Sequence, residues 1–188
     1  DVQVLANPNT PPGAVAGAPY VIEDGENLQL AGNAFDANAA CGDTITVSWD
    51  LNNDNTFGDA GANRADSLVP AAQIAALPRG VANRIRIKVR DAAGLEVIAE
   101  TTLTIWASLP QAVLRVNPTP ARCGETVFFD GSRSGSPNPL RQIVRYDWDV
   151  DGRAGFDGMG PVFSYTYPRF GSYPITLKVT DDRGRTAT

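Results

Sequence analysis

Two stretches with a tryptophan at the centre constrain this chain more than any other feature. In Thr44-Ile45-Thr46-Val47-Ser48-Trp49-Asp50-Leu51 and in Val144-Arg145-Tyr146-Asp147-Trp148-Asp149-Val150-Asp151-Gly152, apolar and polar residues alternate through the Trp. Each then breaks into an Asp/Asn/Gly-rich turn. Alternation with a period of two is the pattern of a half-buried β-strand. Val144, Tyr146, Trp148 and Val150 are expected on one face, with Arg145, Asp147, Asp149 and Asp151 on the other. Ile45, Val47, Trp49 and Leu51 should face inward in the first copy. A Phe follows each Trp by 8 residues, Phe57 after Trp49 and Phe156 after Trp148. A large ring at mid-strand suits the space between two packed sheets, so Trp49, Phe57, Trp148 and Phe156 are expected in cores. The chain reads as two copies of one β-domain.

Composition agrees. At 188 residues there is room for two domains of about 90 residues each, a usual sandwich size. The 16 Asp against 5 Glu favour turns over helices, and 18 Gly with 14 Pro supply the turns of an all-β chain. The net charge of −5 is uneven: residues 1–107 carry 6 basic against 13 acidic side chains, residues 108–188 carry 10 against 8. Neither half is basic enough for nucleic acid, and no apolar run approaches the roughly 18 residues of a membrane span. The 14 Arg against 2 Lys fit a GC-rich, bacterial source.

Residues 1–12 are expected to be an N-terminal linker, 13–107 the first domain and 108–188 the second. The last strand of the second should be truncated, because Arg183–Thr188 ends where it would begin. Tyr20–Ile22 and Asn27–Ala31 read as early strands, and Val69–Leu77 as either a helical turn or a poor strand. Arg84–Arg90 and Leu95–Trp106 read as a strand pair. In the second half Val113–Val116, Glu125–Asp130, Phe163–Tyr167 and Ser172–Asp181 follow the same order, and Asp181-Asp182-Arg183-Gly184 answers Asp91-Ala92-Ala93-Gly94. The short connector Ala107–Pro110 predicts a fairly fixed end-to-end pair.

The second half resembles a PKD domain, the immunoglobulin-like β-sandwich named after the polycystic-kidney-disease protein. The resemblance is carried by Gly124-Glu125-Thr126-Val127-Phe128-Phe129-Asp130-Gly131-Ser132, Tyr146-Asp147-Trp148-Asp149, Tyr165-Thr166-Tyr167, Phe170-Gly171-Ser172-Tyr173 and Val179-Thr180-Asp181-Asp182. The family's usual Gly-Asp-Gly after the Trp strand is Val150-Asp151-Gly152 here. Tyr173 is counted with the core. The first half keeps Trp49-Asp50, Val89-Arg90-Asp91 and Gly94, but has Asn83 where Tyr173 stands and no Tyr-rich strand; it is PKD-like or a divergent immunoglobulin-like domain. The resemblance implies an all-β fold of two tandem immunoglobulin-like (PKD-type) sandwiches. It also implies extracellular or surface modules in arrays, with spacing, binding or adhesive roles and no catalysis. In secreted bacterial hydrolases such modules sit beside the catalytic domain and help attach substrate.

Several residues invite a functional reading against a plainer one. Asp50, Asn52, Asp54 and Asp59 resemble part of a calcium loop, with oxygen donors at alternate positions, and Asp149, Asp151 and Asp157 echo them more weakly. Tight turns use the same residue types, so both readings stand. The row Arg84, Arg86, Lys88, Arg90 could hold an acidic glycan, or pair across the sheet with Glu96 and Glu100. Trp106 is expected to pack at the domain junction rather than to stack on sugar. Cys41 and Cys123 fall at the far tips of a linear pair, too distant for the Cα separation of about 7 Å a disulfide tolerates. Each is expected to bridge to a neighbouring domain of the same protein in an oxidising compartment, the alternatives being free thiols or one bond in a folded-back pair.

With no His there is no conventional triad or imidazole metal site, so no enzyme is expected. The reading is a spacer or adhesion module of a secreted or surface protein in a bacterial envelope, meeting extracellular protein or polysaccharide. Its alternatives are an accessory module of a secreted hydrolase and a calcium-stiffened stalk.

Overall fold

In the computed structural model, which describes residues 8–188, both Trp-centred stretches are strands, and each is buried in a core of its own. The chain divides into two units, Asp1–Trp106 and Ala107–Thr188. Each is an immunoglobulin-like β-sandwich, and the described residues contain no α-helix.

The first unit comprises β1 (Gly13–Val15), β2 (Tyr20–Glu23), β3 (Leu28–Gln29), β4 (Asn33–Phe35), β5 (Ile45–Asp50), β6 (Leu68–Val69), β7 (Ala82–Asp91) and β8 (Glu96–Trp106). Its main sheet runs β2-β8-β7-β5, with β2 parallel to β8; the ribbons β1-β4 and β3-β6 supply strands for the opposing layer. Alternation places Val47 and Trp49 of β5, and Ile85, Ile87 and Val89 of β7, on the inner face, where they meet Leu28, Leu30 and Val69. Burying such side chains contributes about 1.5–3 kcal/mol each, the main favourable term in a domain of this size. After β6 the chain takes a short 3-10 turn at Ala71–Ile74 and buries Ile74, so the ambiguous Val69–Leu77 holds both a strand end and a turn, parted by Pro70.

The second unit comprises β9 (Arg115–Asn117), β10 (Thr126–Asp130), β11 (Ile143–Asp149), β12 (Gly158–Met159), β13 (Val162–Thr166), β14 (Thr176–Asp181) and β15 (Thr186–Ala187). Sheets β13-β10-β9 and β12-β11-β14-β15 enclose Val127, Phe129, Trp148, Val150, Leu177 and Val179. The Phe129 and Trp148 rings meet at 5.8 Å between centroids, inside the range where aromatic pairs add to their burial.

Four expectations are corrected. Phe57 is only half-buried and Phe156 exposed; neither joins a core. The turn after each Trp strand carries its Phe over the outer face of the sheet, where Lys88 Nζ lies 4.6 Å from the Phe57 centroid and Lys178 Nζ 5.9 Å from that of Phe156. Tyr173 is half-buried and lies outside the core, its ring stacked on Tyr167 at 4.3 Å. Val144 faces out, because the β11–β14 register shifts between Ile143 and Arg145, and Ile143 packs on the core instead. Finally, the stretch expected to be a linker belongs to the first unit over residues 8–12. There the Asn9 side chain donates to Asp91 Oδ2 (2.8 Å), Thr10 Oγ1 donates to Asn38 Oδ1 (2.8 Å), and Pro12 is buried. Residues 1–7 lie outside the described part.

Candidate functional site

The two Asp-rich loops are built alike and differ at one cross-strand position. In each, an Asp follows the Trp and a second Asp closes the loop by accepting from the strand's end: Leu51 N–H donates to Asp59 Oδ2 (2.8 Å), and Val150 N–H to Asp157 Oδ2 (2.7 Å). The residue opposite the first Asp decides the rest. Asp50 faces Arg86, whereas Asp149 faces Thr176.

In the first loop the Arg86 guanidinium pairs with the fully buried Asp50 carboxylate, which also accepts the Asn55 N–H (3.1 Å). Asp54 turns away into its own loop, accepting from Thr56 N–H (2.6 Å) and the Asn52 side chain (3.0 Å). Those bonds hold its carboxyl below the usual carboxylate range. Arg86 therefore brings a positive charge to Asp50, and Asp50, Asp54 and Asp59 do not bring one carboxylate oxygen each within 4.8 Å of one another.

In the second loop one oxygen from each of Asp149, Asp151 and Asp157 lies within 4.8 Å of the others. One oxygen of each carboxylate accepts a local N–H, from Gly152 (2.8 Å), Arg153 (3.0 Å) and Val150 (2.7 Å) respectively. That leaves the second oxygen of Asp149 and of Asp157 for a ligand, while that of Asp151 lies 3.6 Å from Arg153 Nε. An all-oxygen donor set of this kind suits a hard cation such as calcium, which takes roughly six to eight oxygen ligands. Residue reasoning also missed a second convergence, of Asp36, Asp43 and Asp91. Its members stand 55 residues apart in sequence at most, so no spacing motif announces it.

The basic row of the first unit is self-neutralised. Arg84 pairs with Glu100, Lys88 Nζ and Arg90 Nε lie 3.9 and 3.7 Å from Glu96, and Arg86 is held by Asp50. The pairs to Glu96 and Glu100 are exposed or part-exposed and contribute at most about 1 kcal/mol each, the Arg86–Asp50 pair is buried, and together they leave no unpaired cation in that row. The hollow of about 840 Å³ beside Gln29, Asp59 and Gln73 contains the Arg64–Asp66 pair (3.2 Å). Trp106 is half-buried, its ring 3.6 Å from where a side chain on Gly80 would begin. Cys41 and Cys123 are free and exposed.

A groove of about 410 Å³ opens in the second unit between Pro118–Cys123 and Arg169–Tyr173. Tyr173 shapes it: its hydroxyl donates to the Arg169 carbonyl four residues back (3.1 Å), the local closure known as a tyrosine corner in immunoglobulin-like folds. In the first unit Asn83, at the corresponding place, donates instead to the Leu103 and Pro78 carbonyls. The corner, the Trp strand paired with β14 and the Asp181 turn recur together with a family match, since residues 108–188 fit the model of the PKD domain. The second unit is a PKD domain. Within this PKD domain the acidic loop and the groove are separate features, the first on the β11–β12 turn and the second on the β9–β10 and β13–β14 turns.

Solved structures align with this chain at low identity. SGBP-B of the Bacteroides ovatus mixed-linkage glucan utilization locus, solved in complex with a mixed-linkage heptasaccharide, aligns over 95% of this chain at 16% identity and a TM-score of 0.38. The D00–D0 region of intimin aligns over 90% of this chain and 91% of its own length, at 11% identity and 0.43. The human desmocollin-1 ectodomain aligns over 96% at 15% identity and 0.49. This chain spans 46% of the SGBP-B chain and 36% of the desmocollin chain. Likeness at this level carries no argument about function. No helix among the described residues is long and apolar enough to cross a membrane.

Proposed function

We propose that this chain is a non-catalytic extracellular spacer or adhesion segment, holding neighbouring domains apart and meeting protein or polysaccharide at a bacterial cell surface. The observation that carries the reading is the PKD domain at 108–188. The sequence contains no histidine, and Asp149 and Asp157 each accept an N–H of their own loop. Cys41 and Cys123, both exposed, would join neighbouring domains through disulfides. Co-sedimentation of the purified chain with insoluble polysaccharides, alongside a reducing-sugar assay, tests the reading. Retention without release of sugar is expected; release of soluble sugar by the chain would overturn it.

A second reading, the calcium-stiffened stalk, is favoured by the meeting of Asp149, Asp151 and Asp157. Calcium there would clamp the end of β11 to the β12 turn. Melting of the PKD domain should then rise with millimolar calcium and fall with EDTA, and Asp157→Asn should abolish the difference. A melt indifferent to both would remove calcium from the account. An accessory role in a secreted hydrolase is the same binding module in another setting.

A further inference from the structure

Phe170 is the most exposed large apolar side chain among the described residues, with 94% of its surface in water. It stands on the loop beside the PKD-domain groove, and that loop is pinned. The Tyr173 hydroxyl closes it onto Arg169, the Tyr173 ring stacks on Tyr167, and the Tyr167 hydroxyl donates to the Val150 carbonyl (2.7 Å). A ring displayed on a pre-ordered loop loses little further freedom when a ligand covers it, so such a display favours binding. Arg122 and Arg169 line the same groove, and neither guanidinium has a carboxylate partner among the described residues. They contrast with the paired cations of the first unit, in a chain whose net charge is −5. A volume near 410 Å³ lies within the roughly 300–1,000 Å³ of ligand sites.

We propose that this groove binds an acidic polysaccharide, a uronate chain laid with a sugar face on Phe170 and its carboxylates on Arg122 and Arg169. The inference rests on the binding-module reading above and supplies its ligand class. Guanidinium groups match carboxylates in paired, planar geometry, and an accessible flat ring suits the apolar face of a pyranose. A peptide fits less well. Loops supply most of the groove's lining, beside Val116, Val127 and Phe129 of β9 and β10, and Pro118 and Pro120, which follow edge strand β9, offer no N–H for an added strand.

Isothermal titration of the full chain with tetragalacturonate, galactotetraose and tetraglutamate tests this. Tetragalacturonate should bind with an affinity that falls as salt rises, and the neutral tetraose should bind at least about tenfold more weakly. Arg169→Gln and Phe170→Ala, both at exposed positions, should each weaken tetragalacturonate by about tenfold or more with an unchanged melt. No heat with tetragalacturonate, equal affinity for the neutral sugar, unaltered binding by the variants, or tighter binding of tetraglutamate would each overturn the proposal. Retention on insoluble polysaccharide that both variants preserve would sink the groove alone and leave the module reading standing. Loss of all retention in the unmodified chain would remove both.

Discussion

At the residue scale the two tryptophans are not equivalent. Trp148 Nε1 donates to the Gly160 carbonyl (2.8 Å), while Trp49 Nε1 is buried without an acceptor. Trp148→Phe removes a hydrogen bond and orphans a carbonyl; Trp49→Phe removes only a donor that already lacks a partner. Chemical denaturation should therefore find Trp148→Phe more destabilising than Trp49→Phe by about 1 kcal/mol. Equal costs would show that both indoles are equally satisfied. Asp181 and Tyr167 both contribute to the pH response of the PKD domain. Burial alone would raise the Asp181 carboxyl, yet the Arg185 and Arg183 N–H groups and the Arg185 guanidinium outweigh it and hold it below the usual range. A folded pKa lower than the unfolded one, about 3.9, gives stability present above that value and lost as pH falls below it. Tyr167 is pushed up to about 12, by burial first and then by Tyr165, Asp157, Tyr173 and Asp151. Its contribution is whole below the unfolded value of 10.0 and drains away between there and about 12. Melting temperatures across pH should fall at both ends, with Asp181→Asn flattening the acid limb and Tyr167→Phe the alkaline one.

At the element scale, the pairing of two strands decides what an Asp-rich turn can do. β5 sets Asp50 against Arg86 of β7, and β11 sets Asp149 against Thr176 of β14. A buried carboxylate stripped of its guanidinium is an uncompensated charge, so Arg86→Thr should destabilise the first unit by about 3–5 kcal/mol. The reciprocal change, Thr176→Arg, would place a guanidinium opposite Asp149. It should erase any calcium-dependent rise in melting while leaving the melt in EDTA unchanged or higher. A calcium response that survives Thr176→Arg would show that the cation, if bound, sits elsewhere. The outer face above these strands is also where Phe57 and Phe156 settle, over Lys88 and Lys178. Their loss should cost no more than about 1 kcal/mol, as for an exposed cation–π contact, far less than a core ring.

For the molecule as a whole, two separate cores mean two cooperative units. Trp148→Ala should cost about 3–5 kcal/mol, a large share of a domain stability of about 5–15 kcal/mol. Scanning calorimetry of that variant should show one transition moved down or lost and the other kept; a single transition shifting intact would mean one shared cooperative unit. The sequence by itself determined the all-β class, the inward faces of β5 and β7 and that of β11 from Tyr146 onward, the two Trp-centred cores and the PKD character of 108–188. The strand faces and cores follow from period-two burial, which a linear chain displays directly, and the PKD character from the resemblance of its motifs to that family. Only the tertiary structure decided where the turns carry their side chains. Phe57 and Phe156 keep the spacing of core residues but fold onto the outer face, and Val144 is turned out by a register shift. The contrast between the two acidic loops depends on Arg86 and Thr176, which lie 36 and 27 residues beyond Asp50 and Asp149. The groove of Arg122, Arg169 and Phe170 likewise joins two loops that no local pattern links. Strand periodicity is a property of neighbours in sequence, whereas charge pairing and cavities belong to neighbours in space.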